Sequence, residues 1–148
     1  MRLSAPKLTT WLLAFIVGVV GIIGPWNYPV FTPIGPLAHA LAAGNAVVFK
    51  PSEYTPAIGK WLIDAINEVV PEQPVAQLVT GLVPTGAALC SSGVYKISFT
   101  GSTPTGKKVM AACAQTLTPV LLECGGKDAV LVDADADLEL IVNSAYAG

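Results

Sequence analysis

Short uninterrupted apolar runs, rich in β-branched residues, recur along this chain and alternate with segments of helical periodicity. A run of four to eight such residues, bounded by Gly, Pro or Asn, predicts a buried strand. The predicted strands are residues 17–23, 46–50, 75–80, 96–100, 119–123 and 129–132. Because these strands carry few charges, both faces of the sheet are expected to be covered, as in parallel sheets.

Helices are predicted between these runs. Residues 34–43 predict a helix of small residues, and further helices are expected to start near residues 55, 84, 104 and 135. Thr55 is placed at an N-cap, with Pro56 in the first turn. The i, i+3, i+4 spacing predicts a buried face of Ile58, Trp61, Leu62, Ala65, Ile66, Val69 and Val70. In the helix from residue 104, the predicted face is Val109, Met110, Cys113 and Leu117. The alternation predicts a doubly wound parallel α/β sheet.

Composition excludes some classes of function. The 148 residues suit one domain, 53% of them are hydrophobic and 12% are charged. The eight Lys and Arg residues form no cluster, which argues against a nucleic-acid partner. The three cysteines have no disulfide-scaffold spacing, which favours a reducing, cytoplasmic location. His39 lies in an apolar stretch and is interpreted as a packed helix residue, so no metal site is predicted.

The amino-terminal run leaves two interpretations open. Arg2 and Lys7 precede an apolar stretch that ends at Pro25. A basic flank before an apolar run resembles a signal peptide or a membrane anchor using residues 8–24, although the run is short for a spanning helix. The favoured interpretation is a buried strand at residues 17–23. We therefore divide the chain into an unassigned segment, residues 1–16, and one domain, residues 17–148.

Two segments suggest dinucleotide binding. Gly101-x-Thr103-x-x-Gly106 follows a strand and opens a helix, where free N–H groups and the helix dipole attract a pyrophosphate. Gly101 is expected to let the backbone approach the ligand, and Thr103 is placed at the N-cap. Lys50-Pro51-Ser52-Glu53 follows a second strand. A carboxylate there can accept both ribose hydroxyls and repel a 2′-phosphate, which favours NAD over NADP; a solvated strand end with a Pro-Ser turn is the alternative.

Two polar residues have the surroundings of catalytic groups. Asn27 lies between Pro25 and Pro29, which stiffen the loop and can aim its amide N–H at a developing oxyanion. An ordinary proline turn is the alternative. Glu123 ends an apolar strand, where partial desolvation suits a general base.

Three stretches together resemble the aldehyde dehydrogenase superfamily: Pro25-Trp26-Asn27-Tyr28-Pro29, Phe99-Thr100-Gly101-Ser102-Thr103-Pro104-Thr105-Gly106, and Glu123-Cys124-Gly125-Gly126-Lys127. The resemblance implies a Rossmann-like fold, aldehyde oxidation with NAD or NADP, and a homo-oligomer. It implies catalytic roles for Asn27 in holding the oxyanion and for Glu123 in activating water. It implies cofactor contacts at Trp26, Lys50, Ser52, Glu53, Gly86, Gly101, Ser102, Thr103, Cys124 and Gly125.

The chain departs from the family pattern in two places. Val83 stands where the family has a glycine, and it is expected to narrow the adenosine site. In the family, the nucleophilic cysteine follows the E-x-G-G-K turn, whereas this chain ends at Gly148. We therefore expect a partial cofactor-binding domain that is inactive alone, with Cys124 as a buried packing residue rather than the nucleophile. A non-catalytic nucleotide-binding or interaction module is the alternative function.

Overall fold

The computed structural model describes residues 18–72, 74–127 and 129–147. Strands and helices alternate along the chain, as the hydrophobic pattern predicts. The strands are β1 (Val19–Ile23), β2 (Ala46–Lys50), β3 (Ala76–Leu78), β4 (Lys96–Gly101) and β5 (Val120–Cys124). The helices are α1 (Phe31–Ala42), α2 (Pro56–Val69), α3 (Val83–Cys90), α4 (Thr103–Ala114) and α5 (Leu138–Ala147).

The five strands form one parallel sheet in the order β3-β2-β1-β4-β5. Strand β1 is central and pairs with β2 on one side and β4 on the other. Along the chain, β2 and β3 are added on one side of β1, and the chain then crosses to the other side of β1, where β4 and β5 are added. The order reverses beside β1, and such a switch point is where open parallel sheets bind ligands.

Two separate hydrophobic clusters cover the two faces of the sheet, so the predicted doubly wound architecture is confirmed. On one face, α1 and α2 pack on β1, β2 and β3 around Ile22, Leu37, Val47, Phe49 and Ile63. On the other face, α3 and α4 pack on β1, β4 and β5 around Leu89, Cys90, Ile97, Phe99, Val109 and Cys113. Side chains alternate between the faces, because neighbouring strand residues point in opposite directions.

Helices α3 and α4 meet through two buried thiols. Cys90 ends α3, Cys113 lies near the end of α4, and the Cys113 Sγ is 3.9 Å from the Cys90 carbonyl oxygen. Burial, with a smaller effect of the Cys113 thiol, raises the pKa of Cys90 to about 12. These two cysteines are therefore packing residues in their protonated form.

The predicted strand at 129–132 is wrong for the residues that the structure describes. Val130 and Leu131 are exposed and pair with none of the five strands. An apolar run becomes a strand only where a neighbouring strand accepts its hydrogen bonds, and β5 ends its pairing at Cys124. The helix that follows begins at Leu138, where Asp137 Oδ1 accepts hydrogen bonds from the N–H groups of Glu139 (3.0 Å) and Leu140 (3.1 Å).

The predicted buried faces of α2 and α4 are too wide. In α2, Gly59, Leu62 and Ile63 are buried, whereas Trp61 is 61% exposed. The other exposed members of the predicted faces are Ile58, Val69, Met110 and Leu117. Periodicity predicts which side chains share a stripe, but a stripe is buried only as far as a neighbouring element reaches.

Two further expectations need correction, the first of them in part. Thr55 occupies the predicted N-cap position of α2, but its hydroxyl caps no helix N–H and is buried without a partner among the described residues. Its ψ of 41° departs from the extended conformation of an N-cap. His39 is exposed rather than packed, although Leu37 and Ala40 of the same helix are buried.

The amino-terminal expectations fall largely outside the described residues. Residues 1–17 are not described, so the segment 1–16 and the start of the predicted strand stay predictions. The later part of the apolar run is β1, the central strand of the sheet. Within the described ranges, no helix has both the length and the hydrophobicity needed to cross a membrane.

Candidate functional site

A cleft of about 730 Å³ opens at the carboxyl ends of β1, β2, β4 and β5. It lies across the point where the strand order reverses. All of the predicted site residues except Thr103 line it. The fold therefore gathers side chains that are separated by nearly a hundred positions in sequence, while the roles assigned to them stay predictions.

The amino terminus of α4 forms one wall of the cleft. Ser102, not Thr103, is the N-cap: its Oγ accepts a hydrogen bond from the Thr105 N–H (3.4 Å) and donates one to Thr105 Oγ1 (3.0 Å). Thr103 is instead the first helical residue and is exposed outside the cleft. The first turn of a helix carries N–H groups without intrahelical partners, so this wall attracts an anion.

The glycines of this turn are explained largely by internal packing. A Cβ added to Gly101 would lie 2.7 Å from Cζ of the buried Phe99. A Cβ added to Gly106 would lie 3.0 Å from the Cys124 Sγ. Both glycines therefore allow α4 and β5 to pack closely around Phe99. This packing alone accounts for a glycine at position 101, so a close approach of a ligand to Gly101 is not needed to account for it.

The turn after β2 forms the opposite wall. Lys50 is buried, and its Nζ donates a hydrogen bond to the Pro51 carbonyl oxygen (3.0 Å) and lies 3.9 Å from Glu53 Oε2. Ser52 is also buried, and its Oγ accepts a hydrogen bond from the Tyr54 N–H (3.3 Å). These contacts hold the turn, while the Glu53 carboxylate stays partly exposed toward the cleft.

The loop between β1 and α1 brings Trp26 and Asn27 to the cleft. Both are exposed, and the Asn27 amide has no hydrogen-bond partner among the described residues, so its N–H groups are free to donate. The loop is held at the start of α1, where the Thr32 hydroxyl donates a hydrogen bond to the Tyr28 carbonyl oxygen (2.8 Å).

Glu123 and Cys124 end β5 and are exposed, which corrects two expectations. Strand β5 is an edge strand of the described sheet, so no neighbour on its outer side removes water from Glu123. Cys124 is not buried in an apolar slot; its Sγ nevertheless lies against Gly106 of α4. The expected desolvation of Glu123 is therefore absent from the described residues.

Of the part of the cleft between α3 and α4, sequence reasoning found only Val83 and Gly86. Each helix presents a stripe with i, i+3, i+4, i+7 spacing: Val83, Gly86, Ala87 and Cys90 on α3, and Thr105, Lys108, Val109 and Ala112 on α4. The spacing was a readable signal for a helix face. It does not tell whether that face meets the core or a groove.

A second cavity of about 390 Å³ lies on the α1 face of the sheet, toward the start of β4. His39, Asn45, Tyr95 and Ser98 contribute to its lining. The described residues contain no group of three or more His, Cys, Asp or Glu side chains that could hold a metal ion. The cleft at the strand ends is therefore the candidate site.

Comparison with known proteins places this cleft in a family. A sequence model of the aldehyde dehydrogenase family matches residues 8–148. The chain is 52% identical over 116 residues to a probable coniferyl aldehyde dehydrogenase of Pseudomonas aeruginosa, which covers 78% of this chain and 24% of that protein. It is 45% identical over 150 residues to a chloroplastic betaine aldehyde dehydrogenase of Beta vulgaris, covering 100% of this chain and 30% of that protein.

Solved structures agree with the sequence comparison. The NAD⁺ complex of an aldehyde dehydrogenase from Bacillus cereus superposes with a TM-score of 0.80 at 39% identity, covering 90% of this chain and 28% of that one. The chain thus spans roughly a quarter to a third of the length of these relatives. The match of nearly all its residues, together with the same fold, shows that the chain belongs to the aldehyde dehydrogenase family.

Proposed function

We propose that this chain forms the NAD-binding part of an enzyme that oxidises aldehydes to carboxylates. The observation that carries the proposal is the single cleft in which Asn27 and Glu123 lie with the Lys50–Glu53 turn and the Ser102 helix cap. A helix amino terminus and a carboxylate turn on opposite walls suit the pyrophosphate and the ribose of a dinucleotide.

The residues present fit NAD. A Cβ on Gly125 would meet no atom within 4 Å, and one on Gly86 would meet only the aliphatic part of Lys50, at 3.7 Å or more. Space in front of both glycines is therefore open to a ligand. Glu53 would accept the ribose hydroxyls, Ser102 and the α4 amino terminus would hold the pyrophosphate, and the groove between α3 and α4 is apolar enough for the adenine. When bound, NAD would accept the hydride of the aldehyde.

Two side chains of this chain would serve the chemical steps. The free amide of Asn27 would donate a hydrogen bond to the oxygen of the aldehyde as negative charge develops on it, which stabilises the transition state. The exposed Glu123 carboxylate would take a proton from the water that hydrolyses the acyl intermediate. Cys124 is not assigned the nucleophile's role, because in the family the nucleophilic cysteine follows the E-x-G-G-K turn, within which Cys124 lies.

Binding is the first test. Titration calorimetry of residues 1–148 with NAD should show saturable one-site binding, and Ser102→Ala should weaken it because the helix cap and a phosphate contact are lost together. Thr103→Ala is the matched control, since Thr103 lies outside the cleft. Absence of any NAD binding, or equal effects of the two variants, would contradict the proposed site.

Turnover is the second test. Residues 1–148 should form no NADH with short or long aldehydes, since covalent catalysis supplies most of the acceleration and Cys124 is not the nucleophile. NADH formation that is abolished by Cys124→Ser would overturn that assignment. Binding without turnover would agree with a non-catalytic nucleotide-binding role for these residues.

A further inference from the structure

Lys108 is a charged side chain in a groove that otherwise suits a flat apolar ring. It lies on α4 among Thr105, Val109 and Ala112, facing the α3 stripe across the cleft. Among the described residues, no carboxylate is within ion-pair distance of its ammonium, whereas Lys50 lies near Glu53 and Lys60 pairs with Asp64. An unpaired cation therefore lines the same cleft as the Glu53 carboxylate.

The cleft carries charges of opposite sign, at Glu53 and at Lys108. Glu53 places a negative charge where a ribose would lie, and it is partly exposed. Lys108 places a positive charge on the groove between α3 and α4, and Gly86 on the α3 side of this groove lies beside Lys50 of the same turn. A long lysine stem can lie along apolar surface while its ammonium reaches a polar group several ångströms away. A ligand with additional negative charge beside the ribose would be repelled by one group and attracted by the other.

We infer that Lys108 is a specificity-determining residue that lets this cleft accept a dinucleotide carrying a 2′-phosphate. The inference rests on the proposed function, because it assumes that the adenosine end of a dinucleotide occupies the groove between α3 and α4. Lys108 offsets the repulsion by Glu53, so the preference for NAD over NADP is smaller than Glu53 alone would produce. The stem of Lys108 packs on the ring, and its ammonium attracts the phosphate.

The test compares two neighbouring lysines. Lys107 is also an exposed residue of α4 without an ion-pair partner among the described residues, but it does not line the cleft. Affinities for NAD and NADP are measured by calorimetry for the unmodified chain, Lys108→Gln and Lys107→Gln. An ammonium near an exposed phosphate contributes about threefold to tenfold in affinity, less at high salt.

We expect Lys108→Gln to lower the affinity for NADP by about threefold to tenfold at low ionic strength, while the affinity for NAD changes by less than about twofold. Lys107→Gln should change both affinities by less than about twofold. Equal losses for NAD and NADP in Lys108→Gln would overturn the inference, since the side chain would then only pack on the ring. Equal effects of the two lysine variants would also overturn it, because only the general field of α4 would be acting. If NAD binds normally and Lys108→Gln changes nothing, this inference alone fails; if neither cofactor binds the unmodified chain, the proposed function fails with it.

Discussion

Replacing Glu53 by Gln should narrow the preference for NAD over NADP. The carboxylate lies at the cleft on the turn after β2, with 40% of its side chain exposed, and its neighbour Lys50 holds the turn through the Pro51 carbonyl. The substitution keeps the size of the side chain and one carbonyl oxygen that can accept a ribose hydroxyl. It removes the charge that a 2′-phosphate would meet.

The size of the effect follows from Coulomb's law. A 2′-phosphate adds nearly two negative charges at pH 7, and two unit charges about 5 Å apart in a water-like medium interact by about 0.8 kcal/mol. The repulsion removed is therefore about 1.7 kcal/mol without screening and about half of that at physiological salt. The Lys50 ammonium, 3.9 Å from the carboxylate, remains in the variant and attracts the phosphate. The affinity ratio of NAD to NADP should fall by about fourfold at physiological salt and by up to about seventeenfold without screening.

Calorimetry with both cofactors at low and at high ionic strength checks this expectation. Glu68→Gln is the matched control, because Glu68 is an exposed glutamate of α2 outside the cleft. The change in ratio should be larger at low salt, since the groups are exposed. An unchanged ratio in Glu53→Gln, or the same change in Glu68→Gln, would refute the assignment of Glu53 to the ribose.

Two further predictions concern stability. Phe99→Ala should lower the free energy of unfolding by about 3–5 kcal/mol in urea titrations, because Phe99 is 3% exposed beneath Gly101 and Gly106. Met110→Ala is the control, and because Met110 is exposed its loss should stay below about 1 kcal/mol. An equally small loss for Phe99→Ala would contradict the packing of Phe99. Burial raises the pKa of Cys90 from 9.0 to about 12. The buried thiol of Cys90 therefore contributes fully to the free energy of unfolding below pH 9. As the pH rises from 9 toward 12, the free energy of unfolding falls by at most about 1.4 kcal/mol per pH unit. Urea midpoints at about pH 8 and pH 10.5 should differ more in the unmodified chain than in Cys90→Ala, and equal differences would refute the burial effect.

The sheet was predictable because each of its strands is a short apolar run bounded by residues that end strands. Strand β2 has the predicted bounds, residues 46–50, since Gly44-Asn45 and Pro51 end the apolar run on both sides. The carboxyl ends of parallel strands share one edge of the sheet, and in the sequence Asn27, Glu53, Ser102 and Glu123 each end or follow a predicted strand. The structure brings them to one cleft.

What the sequence did not predict depends on neighbours that a local pattern does not contain. Trp61 and Met110 belong to apolar stripes, but no described element covers them. Leu117 adopts a left-handed φ of 53° in the turn after α4, which breaks the helical stripe to which it was assigned. Lys108 was overlooked for the converse reason: a lysine on a helix is ordinarily solvated, and only the position of α3 turns its face into the wall of a groove.

The strand order also has a consequence for how the chain folds during synthesis. The cluster under α1 and α2 draws all its members from residues 20 to 78, so the amino-terminal half can form a core before the rest emerges. The cluster on the other face of the sheet cannot form this early, because the residues that pack against Ile23 and Val48 lie at positions 89 to 122. Until Lys96 arrives beside Val20, the central strand β1 has a free edge that offers its hydrogen bonds to other chains. We expect ribosome-stalled chains that have exposed residues up to about 90 to be compact but prone to self-association, and chains that have also exposed β4 to lose that tendency.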